Sequence, residues 1–146
     1  MNIDILKMTL EDYEKIKDFL LTDFDDFWSN SILKSELTNP NCYYFVAKHD
    51  NTILGFGGIS QILDEATINN IVVKKNFRNI GIASLILQHI IKFAISNNAS
   101  SITLEVNISN TPAIHLYEKY NFTHVGTRKK YYNNKYDALL MTKKLN

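Results

Sequence analysis

The residues best suited to chemistry lie in two stretches. The first, residues 68–84 (INNIVVKKNFRNIGIAS), opens as a β-branched run ending at Val73. It passes through Lys74, Lys75 and Arg78, and turns at Gly81 into a long segment with apolar residues at helical spacing. This is a strand, a tight loop and a helix N-terminus. A helix N-terminus carries unpaired backbone N–H groups and a partial positive charge, which suit phosphate oxygens. Gly81 and Ala83 carry almost no side chain, so an anion can approach the backbone closely. In the second stretch, residues 101–122, Glu105 lies mid-strand among apolar residues (SITLEVN), where a solvated carboxylate is unexpected. Burial there would raise its pKa and improve it as a base.

The loop is not one of the commoner phosphate cradles. The chain has no G-x-x-x-x-G-K-[ST], and Gly55, Gly57 and Gly58 do not make a G-x-G-x-x-G that opens a helix. The pattern present is R-x-x-G-x-A, from Arg78 to Ala83. Taken alone, an ordinary strand–loop–helix with a glycine at its turn accounts for it equally well.

Composition bounds the rest. A chain of 146 residues fits a single domain, 1–146, able to bury about two-thirds of its unfolded surface. Hydrophobic content of 45% and charged content of 21% fit a soluble globular protein. A net charge of +1 argues against a broad nucleic-acid footprint. The sequence shows no basic n-region with an apolar core and no apolar run long enough for a membrane span, so a cytoplasmic protein is expected. The single Cys42 excludes an internal disulfide and a cysteine-based metal cluster, and the four histidines show no metal-ligand spacing, so no metal is expected.

These residues need elements to position them. Residues 2–8 alternate as a first strand. Thr9 and Asp12 stand in capping-box positions for a helix carrying Tyr13, Ile16, Phe19 and Leu20. Ser29 is read as the cap of a second helix reaching Leu37, with Ile32, Leu33 and Leu37 inward. CYYFVAK and TILGFGGISQIL form a hairpin, whose three glycines predict a bulge or the close approach of another group. The helix after Gly81 presents Ile82, Leu85, Ile86, Ile90, Phe93 and Ala94, and ends near Asn97. It joins two strands in a βαβ unit, so those strands are parallel. Asn110 caps a further helix with Pro112 in its first turn, and two strands follow, near 123–132 and 136–144. The order is β–α–α–β–β–β–α–β–α–β–β, an α+β chain with a mixed central sheet of about seven strands flanked by about four helices.

That order, with R-x-x-G-x-A followed by N-x-x-A-x-x-L-Y (Asn110, Ala113, Leu116, Tyr117), resembles the GNAT N-acetyltransferases and their acyl-CoA N-acyltransferase fold. The likeness narrows to the bacterial ribosomal-protein alanine N-acetyltransferases through LDEATINNIVV (63–73), LEV (104–106), LYE at Tyr117, R-x-x-Y-Y (Arg128, Tyr131, Tyr132) and Phe27-Trp28-Ser29. Phe27 stands where that subfamily has proline, and Asn121 where a helix-ending glycine is usual.

The resemblance implies acetyl transfer from acetyl-CoA to an amine, with a protein N-terminus as acceptor. It implies Glu105 as general base, through water, and Tyr117 as the general acid for the departing thiolate. A phenol near pKa 10 gives its proton to a thiolate of pKa near 8.5 at a cost of about 2 kcal/mol. The backbone of Ile71, Val72 and Val73 would bond the pantetheine arm. Arg78, Asn79, Ile80, Gly81, Ile82, Ala83 and Ser84 would hold the pyrophosphate, and Asn110 would touch CoA, although capping alone explains that residue. Trp28, Asn70, Tyr131 and Tyr132 would line the acceptor groove; for the aromatics, packing explains them as well. Glu105 on a polar strand face and Tyr117 as a core aromatic are the plain alternatives. Another protein N-terminus, a lysine or a small-molecule amine are the alternative acceptors, and a non-catalytic acyl-CoA-binding domain is the alternative outside enzymes.

Overall fold

The computed structural model describes residues 1–24, 30–132 and 135–145, with the side chains of Asn30, Ser31 and Tyr132 outside that description. Seven strands, β1 (Asp4–Lys7), β2 (Cys42–His49), β3 (Thr52–Ile62), β4 (Glu65–Val73), β5 (Ser101–Asn107), β6 (Thr123–Tyr132) and β7 (Tyr136–Lys144), form one mixed sheet in the order β1-β2-β3-β4-β5-β7-β6. Four α-helices accompany them: α1 (Leu10–Ile16), α2 (Asn30–Leu37), α3 (Ile82–Ser96) and α4 (Thr111–Lys119). The element order is the one the patterning predicts. β4 and β5 are parallel, from Glu65 opposite Ser101 to Thr67 opposite Thr103.

The chain packs as two compact units, Met1–Ser60 with Asn69–Phe93 and Gln61–Ile68 with Ala94–Asn146. In the first unit Met8, Tyr13, Ile16, Leu20, Phe24 and Leu33 pack with Tyr44, Val46, Ile53, Phe56 and Val72. Thr9 caps α1 reciprocally: its Oγ1 accepts from Asp12 N–H (3.1 Å), and Asp12 Oδ2 accepts from Thr9 N–H (2.9 Å). Asp12 also pairs with Lys48 at 2.7 Å. Burial opposes its charge, but the bonds from Lys48 and Thr9 outweigh burial and hold the carboxyl below its ordinary value.

Three of the apolar positions placed on helices are exposed, among them Ile32, expected from the sequence to face inward. Phe19 is exposed because α1 stops at Ile16 and continues as a 3₁₀ turn (Lys17–Phe19) and a π turn (Leu20–Phe24), which change the angular step per residue. Ile32 is exposed on α2, where Leu33 is fully buried and Leu37 partly so. On α3 the buried stripe is Ile82, Ile86, Ile90 and Ala94 with Leu87, and Leu85 faces solvent. The predicted cap Ser29 lies outside the described residues.

The hairpin glycines serve close approach. A Cβ on Gly55 would stand 2.7 Å from the Val72 carbonyl oxygen, and one on Gly58 would stand 2.2 Å from the Tyr44 ring. The one register shift between β2 and β3 falls at Ala47/Lys48, and Ala47 pairs with Gly55, so the bulge the glycines predict lies beside the first of them. In the second unit Ile102, Leu104 and Val106 are buried on one face of β5, and Tyr117 and Phe122 meet edge to face at 5.6 Å. Asn121 takes a left-handed φ of 69° at the end of α4, a conformation asparagine tolerates.

Candidate functional site

Each unit holds candidate functional residues of its own. In the first, β4 leads through a 3₁₀ turn (Lys75–Phe77) into a loop with two positive φ values, 65° at Asn79 and 91° at Gly81, before α3 begins. Asn79, Ile80 and Gly81 are exposed, and a Cβ on Gly81 would meet no atom within 4 Å. Backbone of this kind, ending at the N-terminus of a long helix, offers N–H groups to an anion. Ile82 is buried and anchors the helix, while Ala83 and Ser84 are partly exposed in its first turn. Arg78 secures the loop: Nε donates to the Val73 carbonyl (3.2 Å) and an Nη donates to the Phe24 carbonyl (2.6 Å). Those two donors therefore face protein backbone. Val72 is buried, and Ile71 and Val73 are partly so.

Behind β4 lies a polar cluster. Asn70 Nδ2 donates to the Tyr44 hydroxyl (2.8 Å), and that hydroxyl donates to the Glu36 carboxylate. Asn69 Nδ2 donates to the same carboxylate oxygen (3.2 Å), while Ser60 Oγ donates to Asn69 Oδ1 (3.1 Å). Burial and the Glu36 carboxylate push the Tyr44 phenol far above its ordinary value, so it stays a donor. The same two causes raise the partly buried Cys42 thiol. Asn70 Oδ1 is buried without a protein partner.

In the second unit β5 alternates, with Ile102, Leu104 and Val106 on the buried face and Glu105 on the other. The carboxylate is therefore half-buried, not enclosed among the apolar residues that flank it in sequence. Its side chain is 27% exposed and pairs with Arg128 of β6 at 3.0 Å. The Arg128 guanidinium lies 4.6 Å from the Tyr131 ring centroid. Tyr117 of α4 is buried. Asn110 caps α4, its Oδ1 accepting from Ala113 N–H at 3.3 Å. Tyr132 enters through its backbone, paired with Tyr136, and Trp28 lies outside the described residues.

Residues 4–122 match the acetyltransferase (GNAT) family model. The chain belongs to this family. A Bacillus subtilis (strain 168) relative, named as a candidate ribosomal protein bS18-alanine N-acetyltransferase, is 32% identical over 94% of this GNAT chain and 92% of its own. The crystal structure of the Escherichia coli ribosomal-protein-S18-alanine N-acetyltransferase superposes with a TM-score of 0.91 at 25% identity, covering 99% of this chain and 95% of that one. A GNAT acetyltransferase from Elizabethkingia anophelis with acetyl-CoA bound gives 0.80 at 26% identity, covering 99% of each chain.

Two features of this GNAT chain escape a reading of the sequence alone. The Glu36–Tyr44–Asn69–Asn70 cluster had one signal, two adjacent asparagines inside the β-branched run INNIVV, which demand polar partners. The Glu105–Arg128 pair had none, because it depends on strand order and register. Among the described residues no helix is long and apolar enough to cross a membrane, and no group of three His, Cys, Asp or Glu is placed to hold a metal ion.

Proposed function

We propose that this chain, acting as one acetyltransferase domain over residues 1–146, acetylates the N-terminal alanine of a small-subunit ribosomal protein in the cytoplasm. The observation that carries the reading is the likeness, along nearly the whole chain, to relatives named for that reaction. Acetyl-CoA supplies the acetyl group as a thioester. The exposed Asn79–Ile80–Gly81 backbone and the first turn of α3 suit its pyrophosphate, since no side chain obstructs Gly81. The backbone of Ile71, Val72 and Val73 bonds its pantetheine arm, and Asn110 contributes at the α4 N-terminus.

The acceptor amine must be neutral to attack. A terminal α-amine has a pKa of about 8 and a lysine amine about 10.4, a difference of about 3 kcal/mol in the cost of deprotonation, which favours an N-terminal acceptor. Glu105, reachable from solvent and fixed by Arg128, takes the proton through water. Tyr117 returns a proton to the leaving sulfur. Asn70 and Tyr131, with Trp28 and Tyr132, bind the acceptor segment.

The test is acetyl transfer to two peptides. One carries a free N-terminal alanine; the other has a blocked N-terminus and an internal lysine. Turnover on the first alone, lost in Glu105→Gln and Tyr117→Phe, is the expected result. Turnover on the lysine peptide would replace the acceptor. Acetyl-CoA binding with turnover on no amine would replace catalysis by a binding role.

A further inference from the structure

The Glu105–Arg128 pair is unusual for where it reaches. Glu105 lies opposite Leu140 of β7, and Leu140 lies opposite Gly126 of β6. Arg128 is two residues beyond Gly126 and so on the same face as Glu105. Its guanidinium must therefore cross the whole of β7 to meet the carboxylate at 3.0 Å. Gly126 leaves the row beside Leu140 low; a Cβ there would come within 3.2 Å of Leu140 Cδ1. Tyr131 provides a ring face under the guanidinium, 4.6 Å from its carbon. A planar guanidinium held by a ring on one side and a carboxylate on the other has lost most of its freedom.

Folding stability does not account for this arrangement. The arginine side chain is 52% exposed, and exposed pairs contribute little after entropy and screening. Orientation does account for it. Glu105 has a flexible side chain on the less buried face of its strand, and among the described residues Arg128 is its only ion-pair partner. We propose that Arg128, steadied by Tyr131, is a positioning residue that fixes the Glu105 carboxylate for proton transfer. This rests on Glu105 being the base of the proposed reaction. A base displaced by about 1 Å can lose about 100-fold in rate, so the pair acts on turnover while leaving donor binding alone.

The experiment is a double-mutant cycle in the full chain, with acetyl-CoA and the free-alanine peptide. Arg128→Ala is expected to lower kcat by about tenfold or more while KM for acetyl-CoA stays within about twofold. Arg128→Lys, which keeps the charge but loses the planar stack, should recover part of the loss. Tyr131→Ala should lower kcat less than Arg128→Ala. Glu105→Gln with Arg128→Ala should be no slower than Glu105→Gln alone, because the arginine acts only through the carboxylate. Wild-type kcat in Arg128→Ala, with Glu105→Gln inactive, overturns the positioning role and leaves the base intact. Losses that multiply in the double variant also overturn it. Full activity in Glu105→Gln removes the base itself, and the positioning role with it.

Discussion

The candidate residues of the two units are of different kinds. The loop proposed to hold phosphate acts through backbone: it has left-handed turns at Asn79 and Gly81 and is tied by Arg78 to the carbonyls of Val73 and Phe24. The residues proposed for proton transfer act through side chains: Glu105 on the half-buried face of β5, Arg128 reaching across β7, and Tyr117 buried on α4. Backbone recognition depends on conformation, so it tolerates most side-chain changes that leave φ and ψ alone. Side-chain recognition depends on single atoms, so one isosteric change removes it. The first should fail in KM for the donor and the second in kcat.

The largest effect tests the second half. Glu105→Gln and Tyr117→Phe should each lower kcat by about 10²–10⁴-fold, the usual contribution of a positioned acid or base, with KM for acetyl-CoA unchanged. Steady-state kinetics on the free-alanine peptide reads this. A rise in KM with kcat intact would erase the distinction between the two regions.

How much of this was legible in the sequence follows the same division. The loop was legible because glycine spacing after a β-branched run reports backbone conformation directly, and the left-handed Gly81 lies where R-x-x-G-x-A places it. Strand and helix order was legible because period 2 and period 3.6 are local. Phe19 and Leu85 misled because a stripe drawn on an ideal helix cannot register a change of helical pitch or a two-sided burial such as that of Leu87. Glu105 misled through composition: its neighbours Leu104 and Val106 are apolar, yet alternation puts them on the opposite face. Its partner lies two strands away in the sheet, a relation set by tertiary register alone.

The support of the first region comes next in size. Gly58→Ala puts a Cβ 2.2 Å from the Tyr44 ring, which must move and loosen its bonds to Glu36 and Asn70. Overpacking of this kind costs about 1–3 kcal/mol, read as a lower Tm in calorimetry. An unchanged Tm would mean that the ring shifts freely and that the cluster does not brace β4.

The loop itself should respond less. Gly81→Val forces a β-branched residue to a φ of 91°, at a cost of about 1–2 kcal/mol although space is open around it. A loop that relaxes to avoid this loses its anion-binding shape, so KM for acetyl-CoA should rise by about tenfold while kcat holds. A fall in kcat alone would show that the backbone half is not a binding device.

The smallest effect is one of pH, and it lies away from both halves. Asp12 is buried and its carboxyl is held below 3.8, because the bonds from Lys48 and Thr9 outweigh burial. A folded-state pKa below the unfolded one means that protons bind the unfolded chain more readily. The stabilisation is therefore complete above the ordinary carboxylate value and is lost as pH falls through the lowered one. Asp12→Asn keeps an oxygen for the Thr9 cap but gives up the charge facing Lys48. Its Tm should lie below that of wild type at pH 7, and the two should converge in acid, where the wild-type carboxyl is itself protonated. Parallel Tm curves from pH 7 into strong acid would show that the capping bonds, and not the pair with Lys48, carry the contribution of Asp12.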